Sequence, residues 1–326
     1  MPADWVEDPV AFTAPHWATL AETDPEATFF HTPQFLKPYW EEFGAGRLAV
    51  ASVRQTDTVV AVCPFEIHDG ILAFLGGFDV TDYLGPVGAP PDRQHAAKEL
   101  MAAVAARDDW DLADLRGLPR DGGWLRCLAD AALAAGLDPR VEDDAVAPWL
   151  DLPQTFDAYL AGLPGKRRHE IRRKERRLRE ALPGARLVDA TPRSLPGELD
   201  RFVELHRSSA GEKGKFMVPG MELFFRRLAE SLLPTGAFRL AFLEGGSGKI
   251  AGAVGFRDRG TFRLYNSAYD DAYAGLAPGM VLVAELIRSA IGEGCFGFDF
   301  LKGDLGYKYR FGPRRRRIAR LLLRRE

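Results

Sequence analysis

The stretch from Arg263 to Phe311 constrains this chain more than any other, because strand, glycine turn, helix, strand and a polar cluster follow one another without a break. The first strand is Arg263-Leu264-Tyr265-Asn266-Ser267-Ala268-Tyr269-Asp270. Gly275-Leu276-Ala277-Pro278-Gly279 makes the turn and opens the apolar run Met280-Val281-Leu282-Val283-Ala284-Glu285-Leu286-Ile287. The second strand is Phe296–Leu301, followed by Lys302-Gly303-Asp304 and Gly306-Tyr307-Lys308-Tyr309-Arg310-Phe311. A helix that starts on small residues directly after a strand presents unpaired N–H groups at the positive end of its dipole. That is a ready site for an anion.

The 326 residues suffice for two domains with separate cores. An apolar content of 46% and a charged content of 27% fit a soluble globular protein. No apolar run approaches the roughly 20 residues needed to cross a bilayer, so no membrane span is expected. The acidic start, Met1 to Asp8, lacks the basic and apolar regions of a signal peptide, and the expected compartment is the cytoplasm. Cys63, Cys127 and Cys295 are widely spaced and are expected as buried, inert thiols. Neither they nor the six histidines have metal-ligand spacing, so no metal is expected.

Charge is unevenly spread. Residues 1–150 hold 10 Lys/Arg against 25 Asp/Glu, whereas residues 151–326 hold 33 against 21. The basic half is the better host for a phosphorylated ligand, although the two halves can also simply attract each other. Nine of the basic residues lie between Lys166 and Arg179, with Ile171 and Leu178 on one stripe that can dock on a core. Its outward cations, Arg168 and Arg172 among them, fit a solvated face, a phosphate or polyanion contact, or nucleic acid. The pI of about 6.1 and the lack of any nucleic-acid motif weigh against the last.

The two halves repeat one order of elements. The first offers a helix at Pro33–Phe43, strands at Arg47–Arg54, Thr58–Ile67 and Ile71–Leu75, a loop at Gly76–Pro91, a helix near Asp92–Ala106, a strand at Trp110–Leu115 and a helix at Asp121–Ala135. The second offers helices near Leu199–Ser209 and Met221–Leu233. Strands at Phe238–Glu244, Ile250–Arg257 and Phe262–Tyr269, the Pro278–Ile291 helix and the Phe296–Leu301 strand complete it. Arg47-Leu48-Ala49-Val50 echoes Arg239-Leu240-Ala241-Phe242, and Leu115-Arg116-Gly117 echoes Leu301-Lys302-Gly303. A tandem duplication of one α/β unit is expected, 1–147 and 148–326, with Pro148–Pro153 as the joint. The first copy lacks both the Ala-Pro-Gly turn and the Tyr-Lys cluster, so it reads as degenerate.

Taken in order, these pieces resemble the CelD/BcsL-type acetyltransferases of the GNAT superfamily, which are related to the FemAB peptidyltransferases. The matching residues are Leu152-Pro153 before Thr155–Leu160, the Lys166–Arg173 run, Leu205-His206, Tyr265–Asp270, Pro278-Gly279, Asp299–Asp304 and Tyr307-Lys308. The resemblance implies tandem GNAT-like α/β domains, mixed sheets flanked by helices, and acetyl-CoA or another acyl-CoA as donor. The usual Gln/Arg-x-x-Gly-x-Gly/Ala phosphate loop is replaced here by Gly275-Leu276-Ala277-Pro278-Gly279-Met280. Gly279 still lets a phosphate approach the backbone, and Pro278 suits a first helical turn.

Acyl transfer to an amine needs a proton acceptor, an oxyanion donor and protonation of the leaving group. Asp299, which interrupts an apolar strand, is the candidate for holding or deprotonating the acceptor. Tyr307 is the candidate acid for the leaving thiolate and Lys308 the candidate oxyanion partner; each also has a plain structural reading. By strand alternation Tyr265 and Tyr269 share a face, and with Asp270 and His206 they are candidate acceptor contacts. With no Gly-x-Ser-x-Gly and no Cys-His pair, direct transfer is expected rather than a covalent intermediate. The expected activity is N-acyl transfer, acetyl above all, to an amino-bearing metabolite or a glycan- or lipid-linked envelope precursor. The alternatives are a FemAB-like enzyme fed by aminoacyl-tRNA, the one case with a nucleic-acid partner, and a non-catalytic binding protein of GNAT fold.

Overall fold

A computed structural model describes residues 3–77, 79–209, 216–246 and 248–325. Phe78, in the expected Gly76–Pro91 loop, lies outside them. The chain divides into two compact units, Met1–Val146 with Arg316–Glu326, and Ala147–Arg315. Among the described residues no helix is long and apolar enough to cross a membrane.

The first unit contains β1 (Asp4–Val6), α1 (Pro15–Thr23), α2 (Pro33–Phe43), β2 (Arg47–Gln55), β3 (Thr58–His68), β4 (Ile71–Phe74), β5 (Val87–Gly88), α3 (Arg93–Ala105), β6 (Leu112–Pro119) and α4 (Gly123–Ala134). β1 to β4 pair antiparallel in sequence order. β6 then joins β4 in parallel, as a strand returning through a helix must. Phe65, Phe74, Leu100, Leu115, Trp124 and Leu321 help fill the core. Asp24 anchors this unit without being exposed at all: its carboxylate accepts from the Gly88 N–H, the Trp124 indole and Arg93.

β7 (Leu137–Asp151) runs through the unit boundary. The Pro148–Pro153 segment, expected as a joint, is therefore strand as far as Asp151, and Trp149–Asp151 pair with Gly297–Asp299. The second unit continues with α5 (Phe156–Gly162), α6 (Gly165–Ala181), β8 (Arg186–Asp189), α7 (Leu195–Arg207), α8 (Pro219–Leu232), β9 (Phe238–Gly245), β10 (Gly248–Asp258), β11 (Thr261–Tyr269), α9 (Pro278–Gly292) and β12 (Gly297–Asp299). β8 to β11 pair antiparallel in sequence order and β12 joins β11 in parallel, so both units share one topology: a meander, a helix and a parallel return. The fold is a duplicated α/β fold of mixed sheets with flanking helices.

A last strand, β13 (Arg314–Arg325), was not signalled by its arginine-rich sequence. Ile318, Ala319, Leu321 and Leu323 are buried, and the strand pairs antiparallel with β6 in the first unit. It carries cations into the acidic half, where Arg317 meets Asp143 at 3.0 Å and Arg320 meets Glu142 at 2.7 Å.

In the second unit α9 is buried on a sheet face made small by Ala251 and Ala253, with Leu282, Leu286 and Ile287 against Phe262 and Phe298. α6 joins the same core through Ile171 and Leu178, the stripe read from sequence. Its ion pairs to α9 are Glu175–Arg288 at 2.7 Å and Arg179–Glu285 at 2.9 Å, both inside the second unit. The other sheet face carries α7 and α8, with Phe225 of α8 5.5 Å from the Tyr265 ring. Cys63 and Cys295 are buried, Cys127 is half-buried and all three are free thiols; burial pushes the Cys63 and Cys295 thiols up.

Candidate functional site

β11 and β12 pair only from Thr261–Arg263 against Gly297–Asp299. Past Arg263, β11 has no partner strand on that side among the described residues, while Phe300 N–H turns to the Pro148 carbonyl at 2.9 Å. The diverging strands leave a cavity of about 260 Å³. Its walls include Ser267 and Tyr269 from β11, Ala277 to Met280 at the start of α9, and Tyr307, Arg310 and Phe311.

The start of α9 is shaped by its sequence. Ala277 takes the left-handed conformation (φ 53°, ψ 52°) and supplies no capping side chain. Its carbonyl accepts from Met280 and Val281 at 3.1 and 3.3 Å. Pro278 has no N–H, and among the described residues no group accepts from the Gly279 N–H. Gly279 is also where space is tight: a Cβ there would lie 3.2 Å from the Tyr269 ring. This turn therefore presents one unspent donor and the positive end of a helix dipole beside the cavity. Gly275 lies one turn earlier, in the short Asp271–Leu276 helix, and does not line the cavity.

Tyr269 and Tyr265 do not share a face. Val254 pairs with Asn266 and Gly255 with Leu264, so Tyr265 is an extra residue in β11. Such a bulge breaks the two-residue alternation. Tyr265 packs on Phe225 and Phe256, while Ser267 and Tyr269 turn to the cavity. His206 sustains this bulge. Fully buried on α7, it places Nε2 2.9 Å from Asn266 Oδ1, which also accepts the Ser267 N–H at 2.8 Å. Asp270 caps the Asp271–Leu276 helix through Ala272 N–H at 3.0 Å and lies 3.7 Å from Arg201.

The segment after β12 is held from both ends. Asp299 is fully buried and accepts the Leu301 N–H at 2.8 Å, with Arg263 at 3.9 Å. Leu301 has φ of 56°, strained for a leucine, and that turn ends the strand at Asp299 instead of the expected Leu301. Lys308 is 3% exposed and donates to the carbonyls of Phe300, Leu301 and Lys302 at 2.9, 3.0 and 2.9 Å. An ammonium has three protons, and here each meets a carbonyl. Asp299 and Lys308 thus frame the loop that presents Tyr307, and neither lines the cavity.

Tyr307 does line it. Although 42% of its surface is open, burial pushes its hydroxyl up to about 12, so it stays protonated at neutral pH. Arg168 donates to the Ala161 carbonyl at 3.3 Å, and Arg172 is exposed on α6. The structure therefore brings Tyr269, Ala277, Pro278, Gly279, Met280 and Tyr307 together; the other candidates frame the site or lie away from it. Ser267 and Arg310 line it unanticipated: Ser267 shares the Tyr269 face by plain strand alternation two residues away, and Arg310 was legible only as part of the polar cluster. Among the described residues no three His, Cys, Asp or Glu side chains are placed to share a metal ion.

An acetyltransferase (GNAT) domain family matches residues 165–309. That segment is similar to a GNAT domain. The match contains every residue of the cavity except Arg310 and Phe311. No curated protein sequence matches the chain significantly. Among solved structures, FemX superposes with a TM-score of 0.68 at 10% identity, covering 94% of each chain. A conserved protein of unknown function from Bacteroides thetaiotaomicron gives 0.64 at 12% identity, covering 99% of this chain and 100% of that one. The C-terminal domain of a putative lysylphosphatidylglycerol synthetase from Agrobacterium fabrum gives 0.52 at 13% identity, covering 81% and 80%. At such identities the likeness is one of fold, and it covers most of the chain. The resemblance to GNAT acetyltransferases read from the sequence has a domain match behind it, and FemX shares the fold.

Proposed function

We propose that this chain is an N-acyltransferase that takes its acyl group from a coenzyme A thioester and passes it directly to an amine. The observation that carries the reading is the cavity where β11 and β12 part, closed at one end by Ala277–Met280 and flanked by Tyr307. The unpaired edge of β11 offers backbone groups to the amide arm of a thioester donor. The start of α9 offers the Gly279 N–H and a dipole to its phosphates. The amine lone pair attacks the thioester carbonyl, the tetrahedral oxyanion collapses, and the C–S bond breaks.

Tyr307, which lines the cavity, is our candidate for stabilising the leaving sulfur. A hydroxyl held at about 12 is a weaker acid than a thiol of ordinary pKa, about 8.5, so it stabilises the thiolate by hydrogen bonding more than by complete proton transfer. Among the described residues the cavity wall holds no Asp, Glu, His or Lys, so the acceptor's proton leaves on the acceptor side. Asp299 and Lys308 act as positioning residues through the loop they frame. The acceptor class we favour is an amino-bearing metabolite or envelope precursor, in the cytoplasm.

Calorimetric titration with acetyl-CoA tests the donor. Micromolar binding to the wild type and loss of it in Gly279→Trp are expected; no binding by the wild type, or equal binding by both, contradicts the reading. A second reading, aminoacyl-tRNA as donor, draws on the exposed Arg172, Arg173, Arg176 and Arg177 of α6. Charge reversal at Arg172, Arg173 and Arg176 would then abolish tRNA binding and leave acetyl-CoA binding intact.

A further inference from the structure

Among the described residues lining the cavity, one carries a cation and none an acid. Arg310 alone has a full charge among the described residues that line it. Its guanidinium is already engaged from outside: Nη1 meets Oε1 of Glu170, on α6, at 3.1 Å, with the two side chains 54% and 28% exposed. A pair this open to water contributes roughly 0–1 kcal/mol, so a better anion displaces Glu170 at little cost. A phosphate is such an anion, since it meets the planar guanidinium with two parallel hydrogen bonds.

We infer that Arg310 is the phosphate-recognising residue of this cavity, and that Glu170 occupies its guanidinium when no ligand is bound. This deepens the donor reading proposed above and rests on it for the identity of the phosphorylated ligand. The arginine stands at the same cavity as the start of α9, so one anionic ligand meets a mobile cation and a fixed dipole together. Glu170 then sets affinity from outside the cavity: it lowers the charge presented to neutral or cationic molecules and competes with every anion. The pair discriminates in favour of ligands with enough negative charge to take Arg310 away.

The test compares wild type, Arg310→Gln, Glu170→Gln and the double variant by calorimetry, with inorganic pyrophosphate and coenzyme A as separate probes. Arg310→Gln should weaken both about tenfold, the size of one charge-assisted interaction. Glu170→Gln should tighten both about threefold, and the double variant should match Arg310→Gln alone. Affinities for Arg310→Gln within twofold of wild type, or weaker binding by Glu170→Gln, overturn the assignment. Pyrophosphate binding without coenzyme A binding overturns the donor reading only, and the variants still decide Arg310 on pyrophosphate. Binding of neither probe overturns both. If Arg310→Gln melts early, Glu170→Gln decides by the direction of its change.

Discussion

The two units treat the same gap in opposite ways. In the first, β4 and β6 pair at only two positions, Ile71–Leu112 and Leu72–Ala113, and then part as β11 and β12 do. The chain's own loop enters that space: Leu84 is 4% exposed, its N–H donates to the Gly117 carbonyl at 3.1 Å, and its side chain lies against Gly76, just past β4. Gly117 has φ of 87°, and a Cβ there would come within 2.7 Å of Leu84, so the glycine is what admits the loop. In the second unit, among the described residues, nothing of the kind enters between β11 and β12, and the space is a cavity with a glycine helix start, a protonated tyrosine and a cation around it. One topology gives a packed core in one copy and a cavity in the other, and the difference lies in a few loop residues rather than in the strands.

That comparison is open to disruption. Removal of the Lys308 ammonium should have the largest effect on the second unit. Lys308→Met leaves three carbonyls without their donor, and unmet buried groups cost about 1–3 kcal/mol each, so urea unfolding should show a loss of at least about 3 kcal/mol. A loss under about 1 kcal/mol would mean the loop does not depend on it. In the first unit, Leu84→Ala should cost about 2–4 kcal/mol as a cavity mutation and create no affinity for acetyl-CoA. Affinity gained by that variant would show that the filled gap is a latent donor site.

Smaller effects sharpen the chemistry. Tyr307→Phe keeps the ring and should lower turnover about 10- to 100-fold with little change in donor affinity. A drop in affinity with turnover intact would instead make Tyr307 a binding group. The raised Tyr307 pKa also has a sign. Below pH 10 the phenol is protonated folded and unfolded, so its contribution is constant. Between 10 and about 12 the unfolded chain ionises first, and stability falls. Because the ring is partly exposed, that decline should be shallow, and it should be shallower still in Tyr307→Phe.

Much of this arrangement was legible in residue order alone. The meander–helix–strand series, the docking stripe of Ile171 and Leu178, and the Ala277-Pro278-Gly279 helix start all depend on local periodicity and turn chemistry. What escaped depends on tertiary placement. The Tyr265 bulge reverses one strand's alternation without any Gly or Pro at that residue to announce it. Lys308, beside Tyr307 in sequence, turns inward because three carbonyls of a strained turn await it, and Asp299 is spent on the same turn. β13 hides its apolar alternation behind a run of arginines that pair with Asp143 and Glu142.

The central claim is that the donor enters the second unit's gap and not the first's. Amide hydrogen exchange with and without acetyl-CoA tests it most directly. The account predicts slowed exchange at Ser267–Tyr269 and Gly279–Val283, and no change at Leu84–Gly88 or Gly117. Unchanged exchange at Gly279–Val283 under saturating acetyl-CoA, or protection of the Leu84 loop instead, would contradict it.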